Sequence, residues 1–485
     1  MSRLRRSIPI GLGVLGLASL TGVFGAPARG QSGIVLVTSG AELIAAITAA
    51  EPGQTIQLEP AAPDAPEAYD LPHRVTIARP GSAEAPITLR ADPLDAPTLR
   101  FLPEAGIVEG FLVRAPYWSF ENLDLVGACS EVDHDRCEHA FHIVGAADHT
   151  TVRGSRMQGF NAQIKGNGED GSSGREWPDD VLIEGNELFN DSPRNTGNPV
   201  TPIDVVGGRR WIVRANYIHD FAKAGGNQIS YAAFLKGNSR DGRFERNRVV
   251  CEALHRGQIR LGLSFGGGGS SPDPICEEGT CTPEHQGGLM RNNIIAHCPA
   301  DVGIYLNEAS DTRVYHNLLY DTGGGIDVRF AASSVDLRGN LLSGRIRERD
   351  GGRATKADNL ENLGAADFAA WFTDPQQLDF GLRDGAAIVD RGQALADLPD
   401  DFCANARDDG APDLGPVEFD GDRDCDTTRT HPIGLAPEPT GTPVAPTPTP
   451  GDPTATPPGP TATPAEPVRP PIYLPLLVAR ARSER

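Results

Sequence analysis

Lysine, aromatic residues and helical patterns are scarce in this sequence of 485 residues. Only four lysines occur, at positions 165, 223, 236 and 356, and aromatic residues make up 6% of the chain. Apolar residues come in short runs between glycines and other turn residues, without a long helical period, which predicts many short strands. The formal net charge of -21 disfavours nucleic acid as a partner, because binding to phosphates needs a basic surface.

The two ends of the chain are predicted to lie outside the folded domain. Arginines precede an apolar run at 8–24 and an A-x-A site at 26–28, which predicts a signal peptide over residues 1–28. An uncleaved anchor stays open as the alternative; with cleavage, the mature chain has no transmembrane helix. Residues 436–471 form a Pro/Thr-rich linker that cannot bury a core. Residues 472–485 are a short apolar-basic tail, which is either a sorting signal or a terminus without a targeting function. Together, these features predict a secreted or cell-surface protein.

A repeat of the form apolar-x-x-Asn-x-apolar runs through the middle of the sequence. Its anchors are Ser155, Asn186, Asn216, Asn247, Asn293, Asn317 and Asn340. Stacked strands lie about 4.8 Å apart, so equivalent asparagines form a column in which amides bond from coil to coil. The repeat predicts an all-β fold, a right-handed parallel β-helix, and the longer intervals must contain loops or an extra turn.

The strand before each anchor aligns as FHIVG, IDVVG, AFLKG, IYLNE and IDVRF. Alternation puts the first and third residues inward and the second and fourth outward. The outward residues of interest are His142, Asp204, Tyr305, Asn307, Asp327, Arg329 and Lys236. The segment IRLG at 259 is fitted between these strands and adds Arg260 to the outward set.

Eight cysteines fit an oxidising compartment. Three pairs are close in sequence, namely Cys129 with Cys137, Cys276 with Cys281, and Cys403 with Cys425. Cys251 and Cys298 each follow a repeat strand and could join neighbouring coils, although sequence alone does not fix the connectivity.

The N-terminal helix AELIAAITAA, the strand PGQTIQL and a later P-I-T-L strand resemble the N-terminal cap of pectin-lyase-like right-handed β-helix proteins. The β-helix with its cap helix is assigned to residues 29–364. Residues 365–435 resemble the closing segment of secreted β-helix proteins. A monomer is expected.

Lys236 and Arg260, in K-G-N-S-R-D-G-R-F-E-R-N-R-V-V followed by G-Q-I-R-L-G, are similar to the lysine and arginine of polysaccharide lyase family 6. The resemblance implies β-elimination on a uronate-containing polysaccharide, with Lys236 as the base and Arg260 as the acid or charge stabiliser. It also implies that the other outward residues bind substrate. That family has acidic calcium ligands before the lysine, whereas GGNQISYAAF has no carboxylate; no metal ligand is assigned, and calcium stays open as a cofactor.

Other groups of residues give weaker indications of catalysis or metal binding. Asp179 and Asp180 precede a structural strand, and the polygalacturonase motifs are absent. Residues 129–139 carry two thiols and two imidazoles, for which a disulfide loop is favoured over zinc in an exported protein. The alternating aspartates of 420–426 imitate only part of a calcium loop. A disulfide-stapled loop after Arg260 either walls a groove beside Lys236 or is a tolerated insertion.

Two functions therefore remain: a lyase for acidic polysaccharide, or a non-catalytic surface protein that binds glycans or belongs to the envelope.

Overall fold

The structure is a computed structural model that describes residues 33–429 except 63, 64, 66, 67, 103–107, 130–132, 173, 268, 409 and 420–424. The predicted signal peptide, Pro/Thr-rich linker and C-terminal tail lie outside the described residues, as does most of the 420–426 aspartate run. Within the described part, no helix has the length and apolarity needed to cross a membrane.

Parallel strands stack into three long sheets that wind as a coil. Sheet 1 contains Ile34–Val37, Thr55–Leu58, Ile87–Ala91, Trp118–Glu121, Thr151–Arg153, Leu182–Glu184, Ile212–Arg214, Arg243–Glu245, Leu289–Arg291, Thr312–Tyr315, Ser334–Arg338 and Arg353–Ala357. Sheet 2 follows the asparagine corner and contains Asp70–Leu71, Thr98–Phe101, Asp124–Gly127, Arg156–Gln158, Glu187–Phe189, Tyr217–His219, Arg248–Val250 and Leu341–Leu342.

Sheet 3 closes each turn of the coil. It contains Val75–Ile77, Val108–Val113, Cys137–Val144, Ala162–Asn167, Ile203–Val206, Ile229–Lys236, Ile259–Phe265 and Ile346–Arg349. Two long strands, Ile294–Asn307 and Leu318–Arg329, run through sheets 2 and 3. The predicted right-handed parallel β-helix is confirmed.

Apolar columns fill the inside of the coil. The equivalent inward residues of sheet 3 have no exposed surface: Phe141, Ile164, Ile203, Ala233, Leu263, Ile304 and Ile326. All the inward residues predicted from the strand alignment belong to one core cluster. Because side chains alternate along a strand, the outward residues of these same strands form matching columns on the surface.

The asparagine column is present as predicted, and Asn359 extends it by one coil. The Asn186 backbone amide and Nδ2 both donate to Asn216 Oδ1 at 3.0 Å, while Nδ2 also donates to Val152 O at 2.9 Å. The same pattern repeats up to Asn340, which donates to Asn359. The column satisfies backbone groups that the corner would otherwise bury without partners.

Covering segments and disulfides complete the fold. The predicted cap helix is Gly40–Ala49, and it begins at Ser39, whose side chain accepts from Glu42 N. All four predicted cysteine pairs are disulfides, with Cys251–Cys298 joining two coils. Smaller elements are the hairpin Glu169–Gly171 with Gly174–Glu176, the three-stranded sheet Ser239–Arg240, His285–Gln286 and Ala309–Ser310, and the 3-10 turns His134–Arg136, Asp273–Ile275, Glu277–Gly279 and Pro375–Gln377.

The closing segment packs on the outside of the coil. It contains the helix Ala365–Trp371 and the antiparallel strands Phe372–Asp374 and Asp379–Leu382. Phe368 and Phe380 belong to a second apolar cluster with outward residues of sheet 2, such as Ile294 and Leu318. Leu398 similarly packs on Leu289 of sheet 1. The apolar outer surfaces of sheets 1 and 2 are thus covered here, whereas the outer face of sheet 3 carries mostly polar residues.

Candidate functional site

Two outward columns of sheet 3 bring most of the predicted site residues onto one surface. The first column is His142, Lys165, Asp204, Phe234, Ser264, Tyr305, Asp327 and Arg347. The second contains Val144, Asn167, Val206 and Lys236, and further along Asn307, Arg329 and Arg349. Seven of the eight predicted residues lie on these columns, and Arg260 is the exception.

Lys165, Asp204 and Lys236 form the charged centre of this face. Lys165 Nζ lies 2.6 Å from Asp204 Oδ1, and the carboxylate of Asp204 is 7% exposed. Burial alone would raise the pKa of Asp204, but the ammonium groups of Lys165 and Lys236 outweigh it and hold this pKa below its ordinary value. Asp204 is therefore an anion held between two lysine side chains, and its contact fixes the position of Lys165 Nζ.

Lys236 differs from Lys165 because no carboxylate of the described residues is in direct contact with it. Its Nζ lies 4.5 Å from the centroid of the Phe234 ring and donates to Gly267 O at 3.4 Å. Burial lowers the pKa of Lys236, against the opposing charge of Asp204. A lysine with a lowered pKa is closer to the neutral amine that a general base requires.

The insertion at 266–288 forms a wall beside Lys236, which agrees with one of the two interpretations of the sequence. Glu284 accepts from Gly237 N at 2.8 Å and from Ser270 Oγ at 2.8 Å, and so fixes the loop to the corner after Lys236. Gly267 lies against the Phe234 ring. The insertion therefore desolvates Lys236, which is the physical cause of its lowered pKa.

The register places Arg260 away from Lys236, so the alignment of IRLG was wrong. Arg260 pairs with Ser230, six residues before Lys236, or about 20 Å along the strand. Its side chain is 1% exposed and donates to Gly257 O at 3.0 Å, with Asp220 at 3.8 Å. The residue aligned with Phe234 and Tyr305 is Ser264. The contacts of Arg260 support the loop after Cys251, to whose carbonyl it also donates.

Tyr305, Asp327 and Arg329 form a second group on the same face. Arg329 Nη1 donates to Tyr305 Oη at 3.1 Å, and the ring of Tyr305 lies 6.3 Å from that of Tyr231. Asp327 is buried beneath Arg349, at 2.8 Å, and Arg347. Asn307 is buried as well, at 5% exposure, so its side chain lies beneath this surface and is not available to a ligand.

His142 lies in a groove of 640 Å³ at the N-terminal end of the face. Its Nδ1 is 2.8 Å from Glu109 Oε1 and its Nε2 is 2.7 Å from Asn167 Oδ1. Arg74, Arg114 and Arg175 line the same groove, where they are paired with Glu109, Glu169 and Asp170, respectively. A second groove, of 680 Å³, lies on sheet 1, and its Arg210 and Arg214 are likewise engaged by carboxylates of that sheet and its turns.

The carboxylates near Lys236 do not fit a calcium ion. Asp204 contacts Lys165, and Glu284 accepts hydrogen bonds from Gly237 and Ser270. Calcium takes six to eight oxygen ligands, with several of them anionic. The residues around Lys236 thus do not supply the acidic shell that the family resemblance implies, and no step below uses calcium.

Sequence reasoning missed Lys165, Glu109 and Asn167. Lys165 and Asn167 lie in Ala162–Asn167, the sheet 3 strand between Ser155 and Asn186, which was not among the strands aligned from the sequence. The signal was there in Q-I-K-G, which resembles F-L-K-G at Lys236.

The stacked sheets, the cap helix and the asparagine column define a right-handed parallel β-helix. Among solved structures the chain is similar to pectate lyase Pel9A, with a TM-score of 0.53, 15% identity, and coverage of 78% of this chain and 90% of that one. Because the identity is low, this likeness establishes the fold alone.

Two further solved structures are similar over shorter or looser superpositions. A lacto-N-biosidase of glycoside hydrolase family 136 from Eubacterium ramulus has a TM-score of 0.46, 11% identity, and coverage of 66% of this chain and 64% of that one. An alginate lyase from Paenibacillus sp. str. FPU-7 has a TM-score of 0.37, 14% identity, and coverage of 68% and 95%. No protein-family model and no curated protein sequence matches the chain.

Proposed function

We propose that this protein binds an acidic polysaccharide along the outer face of sheet 3 and cleaves it by β-elimination, with Lys236 as the base. The observation that carries the proposal is Lys236 itself, a desolvated lysine with a lowered pKa, one coil from the Lys165–Asp204 pair. The likeness to a pectate lyase supports a uronate polymer as the substrate class. Arg260 has no part in the proposed step.

The proposed reaction needs a neutral amine and a neutralised carboxylate. Lys236 Nζ takes the C5 proton of a uronate residue, the C5–H electrons form the C4–C5 double bond, and the C4–O4 bond breaks. The leaving oxygen takes a proton from water. Lys165 supplies positive charge for the uronate carboxylate, which stabilises the negative charge that develops in the transition state.

The remaining predicted residues would bind the flanking sugars. Tyr231 and Tyr305 offer ring faces for stacking, and Arg329 lies beside Tyr305 as a donor to hydroxyl or carboxylate groups. His142 and the arginines of the N-terminal groove extend this surface in the other direction. Export to an oxidising compartment is part of the proposal and is supported by the four disulfides.

The test is incubation of the purified protein with pectate, alginate and glycosaminoglycans, with ultraviolet absorbance of unsaturated ends as the readout. We expect activity on at least one polymer, a loss of roughly 100-fold or more in kcat for Lys236→Ala, as for removal of a general base, and wild-type activity for the control Lys356→Ala. The kcat of the wild type should rise with pH through the lowered pKa of Lys236, because the base must be neutral. Unchanged activity in Lys236→Ala would remove the assignment.

A non-catalytic glycan-binding protein is the second candidate, favoured by the contact of Lys236 with Gly267 O and by the Lys165–Asp204 pair, which occupies both groups. This candidate predicts retained polymer binding with no unsaturated product across the whole panel. Binding to immobilised polymer together with the absence of unsaturated product separates it from the lyase, which must give product on at least one polymer.

A further inference from the structure

We propose that Glu109, His139 and His142 form a binding site for a divalent transition-metal cation of the zinc type. Within the part of the chain that the structure describes, these three residues are the one group of three potential ligands whose donor atoms all lie within 4.8 Å of one another. The site goes beyond the proposed lyase function, which uses no metal.

The donor set selects the class of cation. Two imidazoles and one carboxylate are the ligand types of three-ligand zinc sites, in which water takes the fourth position. Calcium and magnesium prefer oxygen ligands throughout, so they fit this set poorly. The thiols of Cys129 and Cys137 are unavailable as ligands because they form a disulfide.

The partners of Glu109 and His142 orient these two side chains toward a common point. Asn167 Nδ2 donates to Gly168 O at 3.0 Å, so its Oδ1 is the atom that faces His142 Nε2 at 2.7 Å. That contact leaves His142 Nδ1 facing Glu109 Oε1 at 2.8 Å. Arg74 holds the other oxygen of Glu109 at 3.0 Å. Outer contacts of this kind fix the orientation of ligands in metal sites.

His139 supplies the third donor and an independent observation. Its Nδ1 is buried and has no hydrogen-bond partner among the residues that the structure describes, which is uncommon for a buried ring nitrogen. Its ring lies 5.0 Å from that of His142. In the strand register His139 pairs with Glu109, which places these two ligands on neighbouring strands, and both histidines are partly exposed.

The test measures the binding of Zn²⁺ and Co²⁺ to the purified protein by equilibrium dialysis and calorimetry. We expect one equivalent of Zn²⁺, no competition from millimolar Ca²⁺, and a Co²⁺ absorption spectrum typical of nitrogen and oxygen ligands. His139→Ala and Glu109→Gln should each weaken binding by more than about 100-fold, and Asn167→Ala by about 10- to 100-fold. His149→Ala, at an exposed histidine outside the group, should leave binding unchanged.

X-ray absorption of the zinc-loaded wild type keeps the proposal testable if a variant fails to fold. Two imidazole ligands are expected in the coordination shell. Any other number of imidazoles, no binding below about 1 mM Zn²⁺, or undiminished affinity in folded His139→Ala would overturn the site. The lyase assay uses neither readout, so either proposal can fail without the other.

Discussion

The ladder asparagines show how much one side chain can do for its neighbours. Asn216 Oδ1 accepts from the backbone and from Nδ2 of Asn186, and its own Nδ2 donates to Ile183 O and to Asn247 Oδ1. Every one of these groups is buried, so each requires a partner within the protein.

Asn216→Ala should lower the free energy of unfolding by roughly 2–4 kcal/mol, because it leaves the Asn186 amide and the Ile183 carbonyl without partners. The urea midpoint measures the loss. Gln376→Ala, at an exposed glutamine, should change stability by about 0.5 kcal/mol or less. A similar loss in both variants would contradict the structural role given to the ladder.

Asp204 should make stability depend on acid pH. Burial opposes its charge, but Lys165 and Lys236 hold its folded-state pKa below the unfolded value of about 3.9. The stabilisation that Asp204 contributes is therefore complete above its unfolded-state pKa. It is lost as the pH falls through its folded-state pKa. The urea midpoint of Asp204→Asn should fall less steeply than that of the wild type below about pH 4. The exposed Asp384→Asn should keep the wild-type slope; equal slopes for all three would refute the prediction.

Strands and their register mark the limit of what the sequence could predict. The asparagine corners and the inward columns were predictable because each repeats in nearly every coil. The register of Ile259–Phe265 was not, since Ile259, Leu261, Leu263 and Phe265 alternate without a break. A shift of four residues leaves such an apolar pattern intact, and turn chemistry alone did not distinguish the two alignments.

Cys251–Cys298 and Cys276–Cys281 should differ in their contribution to stability. The first closes 47 residues and the second closes 5. The chain-entropy estimate gives about 4 and about 2 kcal/mol, respectively. Replacing each pair by alanines and measuring urea midpoints should show the larger loss at Cys251–Cys298. The opposite order would mean that the small loop is stabilised chiefly by its contacts with the coil.

At the scale of the whole molecule, the total charge does not describe the local distribution of charged side chains. The net charge of -21 describes the chain, yet sheet 3 concentrates lysines and arginines from several coils. The sequence predicted an acidic polysaccharide as a substrate, but not where on the coil the cationic side chains that bind it would lie. Lys165 lies on the sheet 3 strand Ala162–Asn167, which the strand alignment left out, so its place between His142 and Asp204 was not predicted.

The asparagine ladder also sets how this protein could change in length. Each rung bonds to the next in the same way, so a complete coil inserted between Asn186 and Asn216 finds a matching rung on both sides. A fragment of a coil does not, because it displaces every later rung from its partner. Growth and shortening by duplication or loss are therefore restricted to whole turns, whereas loops such as 266–288 can vary in any number of residues.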